Sequence, residues 1–208
     1  MFKDISYSCA QTLNACRAGI WLFNDEQAQL ECKNEYNTRT NTFDEVKIID
    51  TEIHPGYFAE LATKRVMATC NAIDHQGNTA LSREYLKANS VKAMLDTPIK
   101  DDGFYLGVLR IYQINNIRYW HQDEQQYAAS IADMIALAYQ KEQRLAALKA
   151  LNESENRFKA LAQSTGAAIF AFRESIIYAN KAAEKLIQLD EESLKILPIS
   201  IIFGKAFS

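Results

Sequence analysis

Apolar residues recur along this chain at two spacings, and the two spacings divide it into strands and helices. Residues 2–17 set Ile5 and Leu13 among small residues and predict a helix. Gly19-Ile20-Trp21-Leu22-Phe23 is an unbroken apolar run, the pattern of a strand covered on both faces. Asn24-Asp25-Glu26 is a turn. After it Leu30, Cys32 and Tyr36 alternate with Gln29, Glu31 and Lys33, so the second strand keeps one wet face and closes a hairpin. Residues 37–54 are polar and poorly patterned, a loop or a short irregular strand. His54-Pro55-Gly56 opens a helix carrying Tyr57, Phe58, Leu61 and Ala62, and residues 65–70 read as a further strand. Residues 71–78 form a loop, with Asn78 or Thr79 as N-cap of a helix bearing Leu81, Tyr85 and Leu86.

The clearest strand pair follows. Val91, Ala93, Leu95, Thr97 and Ile99 alternate with Lys92, Met94 and Asp96; Asp101-Asp102-Gly103 supplies the turn, and residues 104–114 return as a long strand. From about Gln122 to Gln163 there is neither proline nor glycine, and Ala, Leu, Glu, Gln and Lys dominate. A continuous helix there is ~60 Å long at 1.5 Å per residue, more than one small domain covers, so part of it must project or pair. After Gly166, residues 167–172 and 175–179 form a second apolar hairpin, and residues 181–189 a short helix.

Composition narrows the function classes. The 208 residues are 48% hydrophobic and 24% charged, ordinary for a folded chain with a sizeable core. The net charge of -3 gives no electrostatic reason to expect nucleic acid or an anionic membrane as partner. No apolar run reaches the ~20 residues of a membrane span, and the N-terminus has no apolar core of a secretory signal, so a cytoplasmic protein is expected. Cys9, Cys16, Cys32 and Cys70 form no metal or disulfide spacing and read as buried free thiols. Glycine and proline are sparse, so any connection between domains is structured.

The order of elements resembles the GAF fold, an antiparallel sheet flanked by helices. Residues 17–23, Tyr57-Phe58-x-x-Leu61, residues 65–68, Tyr85-Leu86, residues 91–99, Gly107-Val108-Leu109, Arg118-x-Trp120-x-x-Asp123-Glu124 and Ser130-Ile131-Ala132-Asp133 carry that resemblance. Ser154-Glu155-Asn156-Arg157-Phe158, Ala168-Ile169-Phe170 and residues 177–183 resemble the opening of a PAS domain. The expected architecture is α+β: a GAF domain over 1–140, a signalling helix over 141–163, and the N-terminal part of a PAS domain over 154–208. The resemblance implies a non-enzymatic sensory input or relay module of a bacterial signalling protein. Two alternatives stand beside it: a ligand-free structural dimerisation module, and a fragment of a diguanylate cyclase or histidine kinase.

Candidate chemistry is thin. His54, His75 and His121 are scattered, and no nucleophile-elbow, zinc-protease, P-loop or dinucleotide motif occurs. The resemblance implies a small-molecule pocket lined by Trp21, Phe23, Tyr57, Phe58, Met67, His75, Met94, Asp96, Arg110 and Tyr112, although strand aromatics ordinarily just fill a core. Arg110 shares a predicted strand face with Phe104, Leu106, Val108 and Tyr112. A charge there wants a partner such as Asp96 or a ligand anion, while reaching solvent is the commoner outcome. Cyclic-nucleotide and bilin-binding GAF patterns are not matched: Asn115-Asn116-Ile117 lacks a lysine, and Cys70 is followed by Asn71 rather than histidine. The cofactor is unknown, and haem through His75 or His54 stays open. On the long helix, Ile131, Met134, Ala138, Leu145 and Leu148 form a loose heptad seam, interrupted at Lys141 and Asn152, Leu151 and Phe158 add an offset apolar row, and together they predict a parallel homodimer.

Overall fold

The computed structural model describes residues 1–44, 47–72, 86–87, 89–196 and 199. They fall into two compact units, Met1–Glu142 and Gln143–Ser208.

In the first unit the elements run α1 (Phe2–Thr12), β1 (Arg17–Phe23), β2 (Gln29–Asn37), β3 (Thr42–Phe43), β4 (Ile48–Asp50), α2 (Pro55–Thr63), β5 (Met67–Thr69), β6 (Val91–Asp101), β7 (Phe104–Ile114) and the start of α3 (Gln122–Ser164). The strands make one antiparallel sheet in the order β3-β2-β1-β7-β6-β5, with β4 pairing beside β2. α1 is shorter than its pattern suggested. It ends at Thr12, and the left-handed Asn14 turns the chain toward β1. The poorly patterned stretch 37–54 contains the short strands β3 and β4, and the strand expected over 65–70 narrows to β5. The helix expected after Asn78 lies largely outside the described residues.

Each face of the sheet has its own core. α1 lays Cys9 and Ala10 against one face, and α3 lays down Ala128, Ala132, Ile135 and Ala136, a stripe at helical spacing. Small residues at these positions let the helix axes approach the strands closely. Ile20, Leu22, Leu95, Ile99, Leu109 and Ile111 rise from the strands to meet them. Trp120, at the end of the connection before α3, is buried in the same cluster. The opposite face holds Trp21, Leu30, Cys32, Met94, Val108 and Tyr112, with Tyr57 and Leu61 of α2 packed on them. The central strands are thus covered on both sides, as the apolar run at 19–23 predicted.

Bulges revise the expected alternation, and one between Val91 and Ala93 puts Val91 on the α2 side and Ala93 on the α1–α3 side, where one shared face was expected. Between β6 and β7, Ile99 pairs with Gly107 and Lys100 with Tyr105, so Leu106 is the unpaired residue. Leu106 therefore packs with the α1–α3 side while Val108 faces α2, and Phe104 is exposed. The predicted shared face of Phe104, Leu106 and Arg110 does not exist; it begins at Val108. A further bulge, between Ile20 and Trp21, shifts β2 by one residue. Beyond it Glu35 is fully buried, with Oε1 accepting from Arg17 Nη1 at 3.3 Å and from Lys47 Nζ at 2.7 Å.

The thiols divide two and two. Cys9 and Cys32 are buried, while Cys16 and Cys70 are only half-buried, which corrects the uniform burial expected. Burial pushes the Cys9 thiol up to about 11, moderated by a hydrogen bond with Tyr127. Burial, reinforced by the charge of Glu35, pushes Cys32 up to about 12. An unfolded thiol releases its proton near 9.0. Both thiols therefore favour the folded state fully below that pH, and the advantage is lost as pH rises toward the folded values. Each costs about 1.4 kcal/mol per pH unit in that window. Urea midpoints measured at pH 8 and pH 10.5 should fall steeply at the higher value; equal midpoints would count against this account.

In the second unit the rest of α3 leads to β8 (Phe170–Phe172), β9 (Ile176–Ala179), α4 (Lys181–Ile187) and α5 (Glu191–Ile196). β8 and β9 pair as the expected hairpin, and Ile176, Ala179, Ala183 and Leu194 form a small core. Asn180 organises it. Its Oδ1 accepts from Ala183 N, capping α4, and from Ile169 N, both at 2.9 Å. Its Nδ2 donates to Ala162 O at 2.7 Å and to Ala167 O at 2.8 Å. One fully buried amide thus ties the end of α3, the entry to β8 and the start of α4 together.

Candidate functional site

Alternation along four strands brings the predicted pocket residues to one face of the sheet. β1 presents Trp21 and Phe23, β7 presents Arg110 and Tyr112, β6 presents Met94 and Asp96, and β5 presents Met67. Asp96 pairs across strands with both Met67 and Arg110, while Tyr112 pairs with Met94 and Arg17. α2, started by Pro55 in its first turn, lowers Tyr57 and Phe58 onto this floor. The Phe58 ring lies 4.9 Å from Tyr57 and 5.7 Å from Phe23, centroid to centroid. His75 lies outside the described residues.

The polar centre is Arg110, which is fully buried, correcting the expectation that its side chain reaches solvent. Its Nε donates to Asp96 Oδ1 at 3.1 Å and Oδ2 at 3.3 Å, and Nη2 donates to Asp96 Oδ2 at 3.2 Å. Nη2 also donates to the Tyr57 hydroxyl at 2.6 Å, which in turn donates to Asp96 Oδ2 at 2.6 Å. The guanidinium carbon sits 5.2 Å from the ring centroids of both Trp21 and Tyr57, and 5.8 Å from that of Tyr112. A cation boxed by three aromatic rings and one carboxylate is held rigidly. Burial raises the Tyr57 phenol well above its ordinary range, and Asp96 pushes the same way against the opposing pull of Arg110. The phenol therefore stays protonated and available as the donor to Asp96. Nothing in this cluster is a nucleophile poised beside a base; it is a preorganised set of charges and dipoles. The pairing of Asp96 with Arg110 was legible as a partner for a buried charge. Tyr57 as third member was not, because it lies on a separate helix 39 residues from Asp96.

The other expected features find plain structural places. Asp102 and Gly103 both adopt positive φ in the β6–β7 turn. Glu124 Oε2 accepts from His121 N at 2.8 Å, so the acidic residues at the start of α3 perform helix-start chemistry. His54 is the N-cap residue of α2. Among the described residues no group of three potential ligands could hold a metal ion, and no helix is long and apolar enough to cross a membrane. On α3, Ile131 is half-buried against the α1–α3 core and Ala138 is half-buried, whereas Met134, Leu145, Leu148 and Leu151 are more than half exposed. Leu137, which lies outside the heptad seam, and Phe158 are exposed apolar residues as well.

The GAF domain family matches residues 1–139, and a PAS domain family matches residues 156–205. No curated protein matches the chain. Among solved structures, the photoproduct state of a GAF domain from Synechocystis is 19% identical with a TM-score of 0.59, over 71% of this chain and 96% of that one. The blue-light-absorbing form of the PixJ GAF domain of Thermosynechococcus elongatus is 20% identical with a TM-score of 0.56, over 71% of this chain and 90% of that one. The chromophore-binding domain of the Stigmatella aurantiaca bacteriophytochrome is 15% identical with a TM-score of 0.53, over 65% of this chain and 51% of that one. At these identities the likeness is one of fold.

Proposed function

The chain belongs to the GAF domain family, and from that premise we propose that it is the input and relay part of a bacterial signal-transduction protein. GAF and PAS domains are sensory rather than catalytic, and together they mark a sensory signalling module. In the proposed reading the α2-covered face of the sheet binds a small ligand around Arg110, Asp96 and Tyr57, or relays a conformational change. The response passes along α3, in a parallel homodimer, toward the PAS segment and an output domain. A covalent bilin is not proposed, because Cys70 is followed by Asn71 rather than by the histidine of the bilin-attachment pattern.

The observation that carries this reading is α3. One unbroken helix, Gln122–Ser164, runs from the end of the GAF match into the PAS match, with an alanine-rich stripe packed on the sheet and large apolar side chains exposed elsewhere. Met134, Leu145, Leu148 and Leu151 left wet cost ~25 cal/mol per Å2 of apolar surface, and a second copy of the helix removes that cost. A paired helix also gives a mechanism, since a small rotation or shift at one end is transmitted along a stiff element. Light scattering at tens of micromolar should report a dimer, and Leu145→Glu with Leu148→Glu should convert it to a monomer with the GAF sheet intact by circular dichroism. A monomer in the unsubstituted protein removes the relay.

A second reading, a dimerisation module without ligand, is favoured by the charge balance of the Arg110–Asp96–Tyr57 cluster, in which Asp96 already neutralises Arg110. Native mass spectrometry separates the two: a co-purified small molecule supports sensing, and bare protein mass supports the structural module.

A further inference from the structure

We infer that this unit carries a second site, a small-oxyanion site at the end of the sheet, away from the α2-covered face. A cavity of about 260 Å3 opens where β1 begins, β2 ends, and the open end of the β6–β7 hairpin meets them. A water's share of liquid volume is about 30 Å3, so the space holds a phosphate or carboxylate with its hydration.

Its lining is built for anions. Arg17 and Arg39 both face it, with the amides of Asn37, Asn89 and Asn115, and among the described residues no carboxylate lines it. Glu35 and Asp44 compensate the charge of Arg17 from behind, so the uncompensated positive charge facing the cavity is that of Arg39. The two arginines differ in role. Arg17 is tethered: its Nη1 meets Glu35 Oε1 at 3.3 Å and Asp44 Oδ2 at 3.0 Å, and its buried Nε–H has no acceptor among the described residues. Arg39 is exposed, and among the described residues its guanidinium has no hydrogen-bond or ion-pair partner. A fixed cation beside a free one, with amide donors around them, suits an oxyanion that several N–H groups can share.

The frame is also held in place before any ligand arrives. Cys16 N donates to Tyr112 O and Thr38 N to Cys16 O, both at 3.0 Å, and Asn115 N donates to Ser90 O at 3.0 Å. Asn37 Oδ1 accepts from Arg39 N at 3.1 Å, fixing the start of the turn that carries Arg39. Ser90 and Asn115 sit at φ 55° and 66°, left-handed conformations that non-glycine residues hold only under constraint.

Cys16 lines the cavity and Cys70 does not, and both are half-buried, so the protein contains its own probe and control. Alkylation by neutral iodoacetamide is followed at each cysteine by peptide mass spectrometry, in chloride and with inorganic phosphate or acetate replacing it at equal ionic strength. Phosphate or acetate should slow Cys16 several-fold and leave Cys70 unchanged; the more effective of the two identifies the class of oxyanion. Arg39→Gln should raise the anion concentration needed by about tenfold, the value of one charge-assisted hydrogen bond. Side-chain amide resonances of Asn37 and Asn115 follow the same titration independently of thiol chemistry. The inference fails if neither the alkylation rate nor these resonances respond, if Cys16 and Cys70 respond equally, or if Arg39→Gln titrates like the unsubstituted protein.

Discussion

Arg110→Met should cost about 3–5 kcal/mol of folding stability, because it strands the Asp96 carboxylate in a fully buried site. Asp96 and Arg110 are both fully buried, so solvent cannot screen the charge left behind. Methionine fills similar volume, which keeps the cavity contribution small and isolates the electrostatic one. The matching control removes the whole polar set. Arg110→Met with Asp96→Leu and Tyr57→Phe leaves no orphaned charge or hydroxyl, and should recover most of the loss, since well-packed apolar replacements of buried ion pairs are often neutral. Urea denaturation of the single and triple variants decides the matter. A single variant within about 1 kcal/mol of the unsubstituted protein, the worth of a solvent-exposed pair, would show that the pair is not buried in solution.

Gly107→Ala is expected to be nearly as damaging, for a purely steric reason. Gly107 lies opposite Leu22 in the β1–β7 ladder and opposite Ile99 in the β6–β7 ladder. A Cβ there would overlap the Trp21 carbonyl oxygen and stand 2.8 Å from Leu22 Cα. Both are backbone atoms of a central strand, so neither can rotate away. Relief requires β1 and β7 to separate, and β1 carries Trp21 while β7 carries Arg110. The expected loss is about 3 kcal/mol or more, at the upper end of overpacking effects. Gly56→Ala is the control, because a Cβ at that position meets nothing. Equal melting temperatures for the two variants would contradict this view of the strand pairing.

The sequence was most readable where both faces of a strand are apolar or one face is strictly so. The run at 19–23, the hairpin about Asp102 and Gly103, and the glycine-free stretch that became α3 all follow from local pattern. The family resemblance over the first 140 residues rested on those same elements, and the family match spans 1–139. Legibility failed at bulges. Leu106 and Glu35 each sit just past a register slip, and a slip of one residue exchanges the faces of everything beyond it. Nothing in the composition of 33–36 announces an extra residue, whereas Gly107, an isolated glycine inside a strand, is a bulge signal that the alternation of 104–114 obscured. The candidate site was half legible: the residues were named, but the internal solution to the Arg110 charge depends on Tyr57, which folding brings from another element. The oxyanion cavity was not legible, because Arg17, Arg39 and Asn115 come from the ends of different strands and form no motif along the chain.

Asn180 has a consequence for the lifetime of the protein. Its carbonyl takes two N–H groups and its amide gives two hydrogens to carbonyls, so both halves of the side chain are in use. Aspartate has the same shape and volume but no hydrogen to give when ionised. Direct hydrolysis of this one amide to a carboxylate, with loss of ammonia, would turn two attractions, to the carbonyls of Ala162 and Ala167, into repulsions between oxygen atoms. The helix end and the hairpin would be released from each other by the exchange of an NH2 for an oxygen, a form of chemical ageing that leaves the packing of the small core untouched.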